Sequence, residues 1–138
     1  NARVDTGRSE KATAATLQPL KPRIPVEVIR IIDGDTVEVR AHIWLDQHVT
    51  TKVRIRSIDA PERKARCPLE AQMAEISRDR LVTLMGTGPA FLTDLGQDKY
   101  GGRVLGSLLT SRGEDVGAIL VASGHARTYS GGRRQGWC

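Results

Sequence analysis

Apolar and polar residues alternate over several stretches of this chain, which is the pattern of half-buried β-strands. The clearest stretch is residues 36–44, where Val37, Val39, Ala41 and Ile43 are the apolar members and charged or imidazole side chains stand between them. The same reasoning predicts strands over residues 26–32, 49–58, 89–95 and 103–110.

Two further segments have helical spacing. The first predicted helix opens at Cys67-Pro68, with proline at its first position, and stops at Gly86. Its expected buried stripe is apolar throughout: Leu69, Met73, Ile76, Leu81 and Leu84. The second predicted helix covers residues 114–123, with Val116, Ile119 and Leu120 on its buried face.

Three strands, a helix, two strands and a helix is the element order of a five-stranded OB barrel. We therefore predict a mainly β, α+β fold: a five-stranded OB-fold β-barrel with two main helices. Residues 1–23 are polar and broken by prolines at their end, so we expect a flexible N-terminal tail before a single domain over residues 24–138. No apolar run approaches the length of a membrane helix, and we expect a monomer without a membrane partner.

The formal net charge is +5, with 21 Lys and Arg against 16 Asp and Glu. Such a balance suits a polyanionic partner, although a solvated basic surface explains it as well. Aromatic residues make up 4% of the chain, too few for an extended base-stacking platform. Three scattered histidines and two cysteines form no zinc pattern.

Cys67 and Cys138 are either two free thiols or one disulfide. We favour the disulfide, because Cys138 would otherwise be a loose reactive thiol. The bridge would tie the Gly- and Arg-rich C-terminal stretch to the first helix and contribute about 4 kcal/mol in the chain-entropy model. It would also indicate an oxidising compartment, so a secreted or periplasmic location is expected. The first residue, Asn1, fits a cleaved signal peptide and a trimmed chain equally.

Acidic side chains gather where predicted strands end. Asp33 and Asp35 are two residues apart and project to the same side of an extended chain, and Asp59 and Glu62 flank a proline. Carboxylate oxygens bind hard cations such as Ca²⁺, and Arg54 offers a guanidinium fork for a phosphate. Taken singly, an Asp-Gly hairpin turn and a strand end with exposed acids explain these residues as well.

Three motifs in this order resemble the staphylococcal nuclease (thermonuclease) family: Asp-Gly-Asp-Thr at 33–36, Arg54 followed by Asp-Ala-Pro-Glu at 59–62, and Asp-Lys-Tyr-Gly-Gly-Arg at 98–103. The resemblance extends from about residue 26 to residue 129. It implies an OB fold and a Ca²⁺-dependent phosphodiesterase that hydrolyses DNA and RNA with little sequence preference and leaves 3′-phosphate products. An oxygen-only ligand set leaves Mg²⁺ or Mn²⁺ possible.

The resemblance also implies a role for each matched residue. Asp35 and Asp59 would be the direct carboxylate ligands of the metal. Ala60 would add its backbone carbonyl, and Asp33 would act in the outer shell through water. Glu62 would orient or deprotonate the attacking water.

The basic and aromatic positions complete the site that the resemblance implies. Arg54 and Arg103 would hold the phosphate and stabilise the charge of the transition state. Lys99 and Tyr100 match residues that meet the terminal phosphate of a nucleotide, and Tyr129 falls near the family's base-stacking tyrosine. The loop before Arg103 carries one glycine more than the family pattern.

One alternative is an OB-fold nucleic-acid-binding module that has kept the barrel and lost the chemistry. The hydrolytic hypothesis also makes a geometric demand. Arg54 and Asp59 would lie roughly 16 Å apart on a flat strand, so the third strand must bend near Arg56 and Ser57 for both to meet one phosphate.

Overall fold

A closed β-barrel forms the centre of the computed structural model, which describes residues 22–99 and 101–138. The barrel strands are β1 (Ile24–Asp33), β2 (Thr36–Trp44), β3 (Gln47–Ile55), β5 (Ala90–Gln97) and β6 (Arg103–Leu109). Two short strands, β4 (Ile58–Asp59) and β7 (Arg127–Thr128), pair outside the barrel. The helices are α1 (Pro68–Met85) and α2 (Val116–Ala122). This arrangement confirms the predicted α+β barrel with two helices.

The barrel strands follow each other in the order β1, β2, β3, β6, β5, and β5 closes the ring against β1. β3 and β6 run parallel, and the other barrel pairs run antiparallel. The alternation predicted for β2 fills the interior, since Val37 and Val39 are fully buried. Ile43 departs from that prediction and is 51% exposed, because the β2–β3 hairpin extends beyond the barrel core at its tip.

Helix α1 begins and ends where the sequence predicts, and Leu81 is buried as expected, but other parts of its buried face differ from the prediction. Leu69 and Ile76 are 53% and 56% exposed, so the predicted stripe was wrong at these positions. The buried side chains of the helix are Glu70, Ala74, Ser77, Leu81 and Met85. Small side chains lie on this face because the helix approaches the turn between β1 and β2 very closely: a Cβ built on Gly34 would lie 3.0 Å from the Cβ of Ser77.

The bend that the sequence hypothesis required is present. β3 ends at Ile55, residues 56–57 form a turn, and Ser57 has a φ of 67°. The backbone N–H of Tyr129 donates to the carbonyl of Ser57 over 2.8 Å, and β4 then pairs with β7. The chain therefore turns back, and Asp59 approaches Arg54 although a flat strand would separate them.

Helix α2 begins at Asp115, whose side chain accepts a hydrogen bond of 3.2 Å from the backbone N–H of Ala118. Val116 and Leu120 are buried as predicted, whereas Ile119 is only half-buried. Within the part of the chain that the structure describes, neither helix combines the length and the apolar character needed to cross a membrane. The predicted N-terminal tail lies outside the described residues except for its last two positions.

Candidate active site

Two buried carboxylates and one arginine form the centre of the candidate site. Asp35 and Asp59 are each 3% exposed. Nη2 of Arg54 lies 3.6 Å from Oδ2 of Asp35 and 3.9 Å from Oδ1 of Asp59. Because a single guanidinium nitrogen is within 4 Å of both carboxylates, the two acids face a common space at the end of β3.

Asp35 is held by its neighbours in the chain and in space. Its Oδ2 accepts a hydrogen bond of 2.8 Å from the backbone N–H of Ala60, and its Oδ1 accepts one of 2.9 Å from the hydroxyl of Thr36. Burial raises the pKa of Asp35, and the charge of Arg54 and these hydrogen bonds oppose that shift. The orientation of the carboxylate is thus fixed by the turn between β1 and β2 on one side and by the end of β4 on the other.

Asp33 lies at the rim of this cluster, where it organises a loop. Its Oδ1 accepts a hydrogen bond of 2.9 Å from the backbone N–H of Arg63. Asp33 is half-buried, and its negative charge adds to the upward pKa shift of Asp35. Asp33 therefore ties the loop after β4 to the end of β1 beside Asp35.

Asp59 carries an oxygen whose hydrogen-bonding capacity is not met. Its Oδ2 accepts from Nε1 of the buried Trp137 over 3.2 Å. Its Oδ1 is buried and lies 2.5 Å from Nη2 of Arg134, yet it accepts no well-aligned hydrogen bond. A buried anionic oxygen is costly without a nearby cation, and the guanidinium of Arg134 supplies that positive charge in the structure.

This donor set fits a hard cation of the Ca²⁺ type. In residues 22–99 and 101–138 no three Asp, Glu, His or Cys side chains converge on one metal position. A cation between Asp35 and Asp59 would therefore complete its coordination with backbone carbonyl oxygens, such as that of Ala60, and with water.

Glu62 lies in the loop after β4, and its side chain is 42% exposed. Its Oε2 accepts a hydrogen bond of 2.6 Å from Nη1 of Arg134. The guanidinium of Arg134 therefore bridges Asp59 and Glu62. Partial burial disfavours its charge, but the hydrogen bond to Glu62 and the charge of Asp59 outweigh this and raise the pKa of Arg134.

Glu70 shapes the loop that carries Glu62. It is 6% exposed in the first turn of α1, where its Oε1 accepts from the backbone N–H of Arg66 at 3.0 Å and its Oε2 from that of Glu62 at 3.1 Å. These two hydrogen bonds lower the pKa of Glu70, and the one from Arg66 has the larger effect. Glu70 therefore positions Glu62 relative to the buried carboxylates.

The C-terminal segment, residues 129–138, packs across the site. Cys138 forms a disulfide with Cys67 at the start of α1, as the sequence predicted, with their Cα atoms 6.0 Å apart. The guanidinium of Arg127 lies 3.8 Å from the ring centroid of Trp137 and donates to the carbonyl of Gly136 over 2.8 Å. An open cavity of about 400 Å³ lies between β7 and this segment, beside Asp59.

Lys99 lies in the β5–β6 loop, and Arg103 is the first residue of β6. Nε of Arg103 pairs with Oδ2 of Asp98, and within the described residues no hydrogen bond or ion pair joins Arg103 to Asp35 or Asp59. Lys99 is exposed in the same loop, and Tyr100 lies outside the described residues. A larger cavity of about 540 Å³, next to Met85 and Pro89, contains none of the predicted site residues.

Tyr129 stands beside the cavity near Asp59 and is half-buried. Its hydroxyl donates to the carbonyl of Gly132 over 2.7 Å, so this ring is tied to the C-terminal segment.

Of the residues predicted for the site, the structure brings together Arg54, Asp35, Asp59, Ala60 and Glu62.

Sequence reasoning missed three residues that contact this cluster: Glu70, Arg134 and Trp137. For Glu70 no signal was available, since an acid in the first turn of a helix is common. For the other two a signal existed in the predicted disulfide. A disulfide between Cys138 and the start of α1 places the residues just before Cys138 next to the loop that carries Glu62.

Comparison with known proteins identifies the chain's relatives. Residues 52–136 match the family model described as staphylococcal nuclease homologue. Endonuclease YhcR of Bacillus subtilis (strain 168) is 32% identical over an alignment of 124 residues that covers 81% of this chain and 10% of that protein. An uncharacterized endonuclease of Escherichia coli is 31% identical over 102 residues, 74% of this chain and 59% of that protein.

A micrococcal nuclease of Shigella flexneri is 34% identical over an alignment of 110 residues that covers 75% of this chain and 57% of that protein. The chain therefore spans about a tenth of the Bacillus protein and less than three fifths of the two enterobacterial proteins.

Proposed function

Since this chain belongs to the staphylococcal nuclease family, we propose that it is a nuclease that hydrolyses phosphodiester bonds in DNA and RNA with little sequence preference. We propose further that it depends on Ca²⁺, with Mg²⁺ or Mn²⁺ as substitutes, and leaves 3′-phosphate ends. One observation carries this proposal: a single nitrogen of the Arg54 guanidinium lies within 4 Å of two buried carboxylates, those of Asp35 and Asp59.

Asp35 and Asp59 would hold the cation together with the carbonyl of Ala60, and Asp33 would act through water from the rim. A divalent cation at this position supplies polarisation of a phosphate oxygen. Arg54 would bind the same phosphate and stabilise the negative charge that develops on it.

Glu62 is half-exposed at the edge of the cluster, where water has access, and it would orient or deprotonate the attacking water. Arg103 would provide a second grip on the phosphate. Asp98 contacts its Nε, and in the part of the chain that the structure describes no hydrogen bond or ion pair engages its Nη groups, which could then donate to a phosphate oxygen. Lys99, Tyr100 and Tyr129 would contact the nucleotide beyond the scissile bond.

The surface around the cluster suits a polyanion. The segments that meet at the cluster, namely the loop after β4, β7 and the C-terminal segment, carry six basic side chains: Arg63, Lys64, Arg66, Arg127, Arg133 and Arg134. Such basic side chains attract the phosphate backbone without reading sequence, which agrees with low sequence preference. The disulfide supports a secreted or periplasmic location, and we propose that the protein acts as a monomer.

The test is degradation of single-stranded DNA and of RNA by the purified protein, with Ca²⁺ and with an excess of chelator. We expect cleavage with Ca²⁺, loss of cleavage with chelator, and a large loss in Glu62→Gln. Glu75→Gln, an exposed position on α1, is the matched control and should leave the rate unchanged. Cleavage that survives both the chelator and Glu62→Gln would contradict the proposal.

A second function is favoured by one observation. Arg134 pairs with both Asp59 and Glu62 in the structure, as it would in a module that binds nucleic acid without cleaving it. Tight binding of single-stranded DNA with no turnover in Ca²⁺, Mg²⁺ or Mn²⁺ would select this second function over hydrolysis.

A further inference from the structure

A second guanidinium reaches the carboxylate cluster from the C-terminal segment. Nη2 of Arg134 lies 2.5 Å from Oδ1 of Asp59, and its Nη1 lies 2.6 Å from Oε2 of Glu62. Arg54 approaches the same Asp59 oxygen from β3 at 3.9 Å. Two arginine side chains, one from β3 and one from the C-terminal segment, therefore approach the same carboxylate oxygen.

The C-terminal segment is anchored by the residues that follow Arg134 in the chain. Trp137 is buried, donates to Asp59 and stacks against Arg127, and Cys138 is bonded to Cys67. A stretch with three glycines between residues 131 and 136 would not hold one conformation by itself. The disulfide and the Trp137 contacts thus keep Arg134 at the site.

We propose that Arg134 is a further phosphate-binding residue of this site, presented by a C-terminal segment that the Cys67–Cys138 disulfide latches in place. This inference rests on the proposed nuclease function. Without substrate, Arg134 is paired with Asp59 and Glu62. When a substrate phosphate and its cation enter the cluster, the guanidinium exchanges carboxylate oxygens for phosphate oxygens, which its planar fork binds in the same geometry.

Arg134 is better placed for this role than Arg103. The side chain of Arg103 is held by Asp98 in the β5–β6 loop, whereas Arg134 already contacts both the candidate metal ligand and the candidate base. Its side chain is also 40% exposed, so an incoming phosphate has access to it. The cavity of about 400 Å³ beside Asp59 gives substrate room to approach from this side.

The proposal predicts effects of opposite sign on two ligands. Removing Arg134 takes a positive charge away from Asp59 and Glu62, so Arg134→Ala should bind Ca²⁺ about fivefold more tightly in calorimetry. The same variant should bind a non-hydrolysable phosphorothioate oligonucleotide more weakly and lose about 100-fold in kcat/KM on single-stranded DNA. Arg134→Lys keeps the charge without the fork and should fall between Arg134→Ala and the natural protein.

The latch is tested by combining reduction with substitution. Dithiothreitol should lower kcat/KM of the natural protein by about the same 100-fold factor, and it should have little further effect on Arg134→Ala. The double variant Cys67→Ala with Cys138→Ala should behave like the reduced protein without any reductant. Circular dichroism and thermal unfolding establish that each sample is folded, and Arg112→Ala, an exposed arginine in the β6–α2 loop, is the charge control.

Three outcomes would overturn the inference while the nuclease function stands. These are full activity of Arg134→Ala, higher activity of Arg134→Ala, which would make Arg134 a blocking contact, and full activity after reduction. If the natural protein hydrolyses nothing, the proposed function fails instead. The phosphorothioate oligonucleotide then decides the role of Arg134, and equal binding by Arg134→Ala would refute it.

Discussion

The substitution Gly34→Ala tests how the carboxylate turn is positioned. Gly34 lies between Asp33 and Asp35, and an added Cβ would stand 3.0 Å from the Cβ of Ser77 and 3.1 Å from that of Ala60. Neither neighbour is the end of a flexible side chain. Ser77 is buried on α1 and its hydroxyl donates to the carbonyl of His125 over 2.7 Å, so the helix side cannot yield easily.

The change in the free energy of unfolding that we expect for Gly34→Ala is the sum of two opposing effects. Forcing a methyl group into such a contact costs roughly 1–3 kcal/mol. Alanine also restricts the unfolded chain, which returns roughly 0.4–1 kcal/mol, because Gly34 does not have a positive φ that alanine would resist. We therefore expect a net loss of roughly 1–2 kcal/mol and a Tm lower by about 5 °C. The turn should also move Asp35 away from the N–H of Ala60, so hydrolysis should fall.

Thermal unfolding followed by far-UV circular dichroism measures the effect, and Gly88→Ala is the control. A Cβ on Gly88 would meet its nearest atoms at 3.7 Å, an ordinary contact, so that variant should lose no stability. Adding Ser77→Gly to Gly34→Ala removes the facing Cβ. Gly34→Ala should therefore cost less stability in a Ser77→Gly background than in the natural protein, although the contact with Ala60 remains. Ser77→Gly alone costs about 1 kcal/mol for a glycine within a helix and also loses the hydrogen bond to His125. A Gly34→Ala protein as stable and as active as the natural one would refute the reasoning.

Three further predictions concern the supports of the site. Glu70→Gln should lower the free energy of unfolding. Because the pKa of Glu70 in the folded protein is lowered from 4.5, the extra stability of the natural protein is full above pH 4.5 and vanishes as the pH falls through the lowered pKa. Urea unfolding that shows the same difference in stability between the two proteins at every pH would contradict this. In the absence of a divalent cation, Arg54→Ala should lower the free energy of unfolding by about 3–5 kcal/mol, because it removes a positive charge beside two buried carboxylates. Ca²⁺ should then raise the Tm of the variant more than that of the natural protein, and a smaller rise would count against a cation position shared by the two carboxylates. Trp137→Phe keeps the ring packing but removes the donor to Asp59, so denaturant unfolding should show a loss of about 1 kcal/mol, and an unchanged midpoint would mean that this hydrogen bond contributes nothing.

The strands and helix ends of this fold could be read from local chemistry. Alternation in β2 predicts the buried Val37 and Val39, and proline after Cys67 and glycine at 86 mark the ends of α1. The buried face of α1 could not be read in this way, because it is decided by a contact between elements far apart in sequence. Ser77 faces inward where the Asp-Gly turn leaves space only for a small side chain, and Ile76 is left exposed.

The candidate site likewise contains one contact that could be predicted from nearby residues and one that could not. Arg54 and Asp59 lie five positions apart, and the turn with Ser57 in a left-handed conformation could be inferred from the requirement that they meet. Arg134 lies 72 positions from Glu62, and no local pattern indicates that contact. Only the disulfide carries that information, since it fixes the end of the chain beside the start of α1.

The charge of the cluster explains why a latched arginine is useful there. Asp35, Asp59 and Glu62 against Arg54 and Arg134 sum to a formal charge of −1, which attracts a divalent cation before any substrate. With the cation the cluster becomes positive by one charge, which matches the single negative charge of a phosphodiester. If Arg134 were lost on reduction, the cation-loaded cluster would be neutral and its attraction for the phosphate would fall. The disulfide therefore acts on the proposed chemistry through electrostatics, and loss of the latch should weaken substrate binding more at low ionic strength than at high ionic strength.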